Sequence, residues 1–113
     1  MNTQQYEIEY YGTSDGRRPF TDWLESIRDA ATSRRIRARI DRFQTGNLGD
    51  HKPLKNAPGV WEARLNFGPG YRIYFAKERQ TIILLLCGGD KGSQENDIRQ
   101  ATEYYEFYQA AGR

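Results

Sequence analysis

The period of the apolar positions changes several times along the chain, and each change marks an element. Tyr6-Glu-Ile-Glu-Tyr-Tyr11 alternates in part and predicts a first strand. Gly12-Thr-Ser-Asp-Gly16 is a turn cluster, and Pro19 suits a first helical turn. Phe20, Trp23, Leu24 and Ile27 follow at i, i+3, i+4 and i+7, one face of an amphipathic helix. The pattern breaks around residues 30–33, where Thr32 or Ser33 is suited to cap a second helix. Ile36, Ile40 and Phe43 form its apolar stripe, and Gly46 is its expected stop. Residues 47–59, with two prolines, read as a loop. Residues 60–67 and 71–76 read as a hairpin around Gly68-Pro69-Gly70. Thr81-Ile-Ile-Leu-Leu-Leu-Cys87 is apolar after its first residue, which predicts an interior strand covered on both faces. Gly88-Gly89-Asp90-Lys91-Gly92 ends it. From about Ser93 a last helix begins, with Ile98, Ala101, Thr102, Tyr105 and Tyr108 as its stripe. Asn96 and Asp97 favour its N-terminus electrostatically.

The hairpin carries the sharpest chemical signal. Strand side chains alternate between faces, so Trp61, Ala63, Leu65 and Phe67 take one side and Glu62, Arg64 and Asn66 the other. The second strand divides into Tyr71, Ile73 and Phe75 against Arg72, Tyr74 and Ala76. A three-residue loop places Phe67 opposite Tyr71, Asn66 opposite Arg72 and Arg64 opposite Tyr74. Apolar then meets apolar, whereas a two-residue loop mixes the faces. One side is expected to be core and the other to be exposed. That exposed side holds two guanidiniums, a carboxylate and a phenol. Guanidiniums take phosphate in bidentate fashion, so a phosphodiester is the ligand to expect.

The 113 residues suit one domain spanning 1–113 with one core. The net charge of +2 hides a division. Residues 17–79 hold 14 Lys/Arg and 7 Asp/Glu, a net of +7, and the rest hold 3 and 8, a net of −5. A basic middle points to a polyanionic partner. Cys87, alone in an apolar run, is expected to be a buried free thiol in a reducing compartment. One Cys and one His argue against a zinc site, and no phosphate-cradling glycine fingerprint follows Gly88-Gly89, so no cofactor is expected. Residues 1–5 show no secretory n-region, and the longest apolar run is far too short to span a bilayer. The reading is a cytoplasmic protein with no membrane partner.

The order β-α-α-β-β-β-α resembles a toxin family. So do Leu54-Lys-Asn-Ala-Pro-Gly-Val-Trp-Glu-Ala-Arg-Leu65, Gly68-Pro-Gly-Tyr-Arg-Ile-Tyr-Phe75 and Leu84-Leu-Leu-Cys-Gly-Gly-Asp-Lys91. The chain is similar to the RelE/ParE superfamily of type II toxins, most of all its HigB-like, phage-derived Gp49-like "addiction module killer" branch. The resemblance implies an α+β RelE-like fold, with an antiparallel sheet, two N-terminal helices and a C-terminal helix. It implies an endoribonuclease that cuts mRNA, typically on the ribosome, and inhibits translation. It also implies a helix-turn-helix, HigA-like antitoxin in a hetero-oligomer. The family's phosphate-binding arginine corresponds to Arg72, a first-strand basic residue to Arg64, and the basic residue after the last strand to Lys91. Glu62 stands where RelE has a second lysine, and a position near Asp97 stands where it has a catalytic tyrosine.

Metal-free RNA cleavage needs a base for the 2′-hydroxyl, cations for the phosphorane and an acid for the leaving oxygen. Arg72 and Arg64 suit the cation role, and Lys91 suits clamp or acid. Glu62 is the carboxylate of that face. His51, the one imidazole of the chain, lies where some HigB toxins carry a catalytic histidine. Arg35, Arg39 and Arg42 of the second helix, with Lys52 and Lys55 of the loop, are the expected RNA-contact surface. The bland alternatives are a solvated helix face and surface ion pairs, which contribute little. Two rival functions remain open: a ParE-like toxin that binds gyrase without nuclease chemistry, and a non-catalytic RNA- or ribosome-binding module.

Overall fold

The computed structural model describes residues 5–112. Its elements are β1 (Glu7–Tyr10), α1 (Pro19–Ser26), α2 (Ala30–Gln44), β2 (His51–Pro53), β3 (Val60–Leu65), β4 (Tyr71–Glu78) and β5 (Ile82–Asp90). A 3₁₀ turn (Lys91–Ser93) then leads into α3 (Gln94–Ala110). The five strands form one sheet in the order β1-β5-β4-β3-β2. The expected mixed α and β composition is present, with three helices.

Several details differ from the sequence reading, among them that β5 runs on through Gly88 and Gly89 to Asp90, past the expected end of the strand. The sheet is mixed, because β1 runs parallel to β5 while the other pairs are antiparallel. The chain crosses over through α1 and α2 between β1 and the rest, which leaves β1 at an edge. The loop 47–59 contains a short edge strand, β2, with Pro53 opposite Trp61. Proline is tolerated at an edge because its missing N–H faces no neighbour. The cap of α2 is Asp29, whose carboxylate accepts from the Thr32 backbone N–H at 3.0 Å. Thr32 is therefore inside the helix, and its hydroxyl also bonds Asp29.

A further difference concerns the hairpin. Leu65 lies opposite Tyr71, Arg64 opposite Arg72 and Glu62 opposite Tyr74. The connection is the five residues 66–70, closed by the Gly70 N–H donating to Phe67 O at 3.0 Å. Gly68 and Gly70 both have positive φ there, which glycine adopts freely. Relative to the three-residue loop the register moves by two, and two is the period of a strand. The faces therefore survive although the partners change.

The helices do not share one face of the sheet. Phe20, Leu24, Ile36, Ile40 and Phe43 of α1 and α2 pack on Ala63, Leu65, Ile73, Phe75, Ile83 and Leu85. On the other face, Ala101 and Tyr105 of α3 pack with Val60, Tyr74, Ala76, Leu84, Leu86 and Cys87. The β5 strand is interior and covered on both sides, as its unbroken apolar run predicts. Its two glycines are the contact points of that sandwich. A Cβ at Gly88 would collide with the Trp23 ring of α1, and one at Gly89 with the Asp97 carboxylate of α3.

Candidate functional site

Where α3 begins, the face beneath it changes from apolar to charged. The register aligns Lys52, Glu62, Tyr74 and Cys87 across one row, and Arg64, Arg72 and Gly89 across the next. Side chains in such rows share a face. The two guanidinium-bearing residues of the hairpin are therefore direct cross-strand neighbours, closer than the sequence reading placed them. Like charges opposite one another repel, so something must hold them.

Counter-charges hold them. Arg72 Nε and Glu62 Oε2 meet at 3.1 Å, in contact as charges but not aligned as a hydrogen bond. Arg72 Nη1 donates to Gly70 O at 3.2 Å and to Tyr71 O at 3.3 Å. The second oxygen of Glu62 accepts from Gln94 Nε2 at 3.1 Å, which ties the pair to the first residue of α3. Glu62 is 1% exposed and Arg72 8%. Arg64 faces Asp50, with Nη2 3.4 Å from Oδ1, and its side chain is 36% exposed. The Arg64 backbone N–H also donates to Asp50 O at 2.9 Å.

Lys91 is exposed and starts the 3₁₀ turn. A Cβ on Gly70 would lie 3.4 Å from Arg72 Nη1 and 3.5 Å from Lys91 Cβ, so all three converge at one corner. Asp90 fixes that corner by accepting from the Gly92 and Ser93 backbone N–H groups at 2.8 and 3.1 Å. The Ser93 hydroxyl donates to Asp97 at 2.5 Å. Burial, offset in part by that hydroxyl and reinforced by Asp90, raises the Asp97 carboxyl above the ordinary carboxylate range. Tyr74 is fully buried beneath the row, and its hydroxyl has no hydrogen-bond partner among the described residues. Burial first, then the nearby Glu62 and Asp97 charges, push its phenol well up. Burial and Asp97 raise the Cys87 thiol to about 12, as suits the buried free cysteine that the sequence predicts.

The structure thus brings together Arg64, Arg72, Lys91, Lys52 and Glu62, and corrects four expectations, the first being exposure of Arg72 and Tyr74, both of which are buried. Glu62 is not an exposed carboxylate but the buried partner of Arg72, enclosed by α3. His51 is on the opposite face, because it pairs with Ala63. Its ring lies 5.6 Å from Trp61, and its Nδ1 is 2.8 Å from Gly49 O. Arg39 is not a surface contact either. It is buried, with Nη2 donating to Asp50 O at 3.0 Å and Nε to Leu48 O at 3.4 Å, so it supports the loop that carries Asp50. Arg35 stacks over Phe67 at 3.7 Å, while Arg42, Lys52 and Lys55 are exposed. Asp50 and Gln94 escaped the sequence reading. Neither has a periodic signal, and each reaches the site only through the fold. No group of three or more His, Cys, Asp or Glu among the described residues is placed to hold a metal ion.

A family model described as "Phage derived protein Gp49-like (DUF891)" matches residues 22–106, from α1 through most of α3. An uncharacterized protein of Haemophilus influenzae is 42% identical over 82 residues, which cover 73% of this chain and 81% of that protein. The matched span contains every residue of the charged corner.

Proposed function

The chain belongs to the phage-derived Gp49-like family, the addiction-module-killer branch of RelE-like toxins, and from that membership we propose that it is a type II toxin acting as a metal-independent endoribonuclease on mRNA. The observation that carries the reading is the cross-strand pair Arg64–Arg72 with Lys52 and Lys91 beside it. A strip of fixed cations on one sheet face suits a phosphodiester backbone. Arg64 and Lys91, the accessible members, contact the scissile phosphate and stabilise the phosphorane charge. Arg72 lies behind them with its edges held by Glu62 and two carbonyls, so it contributes positive field to the strip. Lys52 and Lys55 continue the track for flanking phosphates.

Proton transfer follows the same placement. Asp50 is the exposed carboxylate beside Arg64 and is positioned to take the 2′-hydroxyl proton. Lys91 donates to the 5′-oxygen. Glu62 and His51 take no proton from substrate, one being enclosed and the other lying across the sheet. The toxin works in the cytoplasm on ribosome-bound mRNA, blocks translation, and is restrained by a helix-turn-helix antitoxin.

A second reading, a non-catalytic RNA-binding module, draws support from the burial of Arg72. Mapping mRNA 5′ ends by primer extension after induction separates the alternatives. New ends within coding regions are expected. Intact RNA with a salt-sensitive RNA complex would favour the binding module. Intact RNA with DNA-damage signalling would favour gyrase poisoning. Either result contradicts the nuclease.

A further inference from the structure

At the far end of α3 from the charged corner lies an open groove of about 750 Å³ between β1 with its following loop and the helix. Tyr11 stacks on Tyr104 at 5.1 Å along it. Its lining includes Tyr10 and Phe107, which are 41% and 60% exposed. Phe107 stands out on the α3 side of the groove, and Tyr10 flanks it at the β1 edge, with its ring 6.1 Å from that of Phe20 on the other face of the sheet. Exposed aromatic area lining a groove marks an interaction surface. β1 is also an edge strand, and an open edge accepts an added strand.

The rim says what fits. Among the described residues, Glu9, Asp15 and Glu103 line it against Arg17, whose Nε is held by Asp15 at 3.3 Å. The groove is therefore floored by aromatic rings, mixed with polar groups such as Thr13 and Gln100, and negative around its rim. We propose that it is the docking site of the antitoxin, and that the segment it takes has apolar side chains flanked by Lys or Arg. The proposal rests on the family's toxin–antitoxin pairing and on opposite charges favouring encounter. It is independent of the nuclease reading. The groove runs along α3 from Gln100 to its end, whereas the charged corner meets the helix at Gln94. Phe107 lies 13 residues beyond Gln94, roughly 20 Å along the helix at 1.5 Å per residue. A partner anchored in the groove leaves Arg64 and Lys91 uncovered, so anchoring the antitoxin and occluding the site are separate contacts.

The test is calorimetric titration of the full-length chain with the protein encoded in the adjacent reading frame, at low and high salt. Glu103→Lys/Phe107→Ser is compared with Arg34→Glu/Arg37→Glu on the exposed face of α2. The groove variant should lose about thirtyfold in affinity, as loss of a hot-spot aromatic with reversal of a rim charge does. The α2 variant should bind as wild type, and salt should weaken the wild-type complex. Both groove side chains are exposed, so thermal melts should match wild type. Unchanged affinity of the groove variant overturns the docking site while leaving the pairing intact. No binding by wild-type protein overturns the pairing and the proposal together. Self-association of the free chain that the groove variant abolishes would make a second copy the occupant, which also overturns it. RNA cleavage, scored separately, bears on the nuclease reading alone.

Discussion

The two faces of the sheet are built from the same strands but do different work. The face under α1 and α2 has an apolar interior, with Phe20, Ile36, Phe43, Ile73, Phe75, Ile83 and Leu85 fully buried and His51 and Lys77 at its margin. The face under α3 begins the same way and ends in charge, with Glu62, Arg72 and the unpartnered Tyr74 hydroxyl enclosed. Apolar burial is the cheaper way to hold a sheet together. A buried ion pair is often no better than a well-packed apolar pair, because desolvation cancels much of the attraction. The charge retained under α3 therefore points to a requirement for fixed cations, and the apolar face supplies the stability that permits it.

Breaking the apolar face should cost most. Phe43→Ala removes a ring 5.5 Å from Phe75 and leaves a cavity, so urea denaturation should show a loss of about 3–5 kcal/mol. Next comes the charged face. Glu62→Ala leaves the Arg72 guanidinium buried without its counter-charge and should cost about 3 kcal/mol by the same measurement. The double change Glu62→Leu/Arg72→Met should recover much of that loss while RNA cleavage stays low. That outcome separates charge kept for stability from charge kept for function. If the double variant is no more stable than Glu62→Ala, the pair is structural.

Smaller effects sharpen the contrast. Tyr74→Phe deletes an enclosed hydroxyl that makes no hydrogen bond to any described residue, so the melting temperature should hold or rise slightly. Asp97 has its carboxyl pKa raised in the fold. The native state then holds that proton more tightly than the unfolded chain. The contribution falls as pH rises from the ordinary carboxylate range through the raised value, and stays at its lower level above it. Asp97→Asn should flatten that limb, read as the difference between the two urea-midpoint curves from acid to neutral pH.

Local pattern made much of the fold legible. The stripes of α1, α2 and α3, the stop at Gly46 and the covered β5 strand follow from period and composition alone. The hairpin faces were legible too, because a register error of two leaves them unchanged. What was hidden is long-range. Nothing in Glu7–Tyr10 says that it will lie parallel to β5, and nothing in His51–Pro53 outweighs its proline to announce a strand. The placement of α3 was the costly omission. A charged strand face reads as solvent-facing unless one knows that a helix covers it, so Glu62 looked exposed and Arg72 looked free. His51 looked near the arginines because sequence gives no sheet position for a loop. Arg39 looked like its solvated neighbours, although it points at the carbonyls of Leu48 and Asp50.

The central claim is that the accessible cations beside α3, Arg64 and Lys91, act on the scissile phosphate. The direct test is the cleavage rate of purified protein on ribosome-bound mRNA, comparing Arg64→Ala/Lys91→Ala with Arg34→Ala/Arg37→Ala. The first variant should lose about a hundredfold or more, the scale expected when charge stabilisation of a transition state is removed, with an unchanged melt. The second should cleave as wild type. Full-rate cleavage by Arg64→Ala/Lys91→Ala would contradict this assignment of the site.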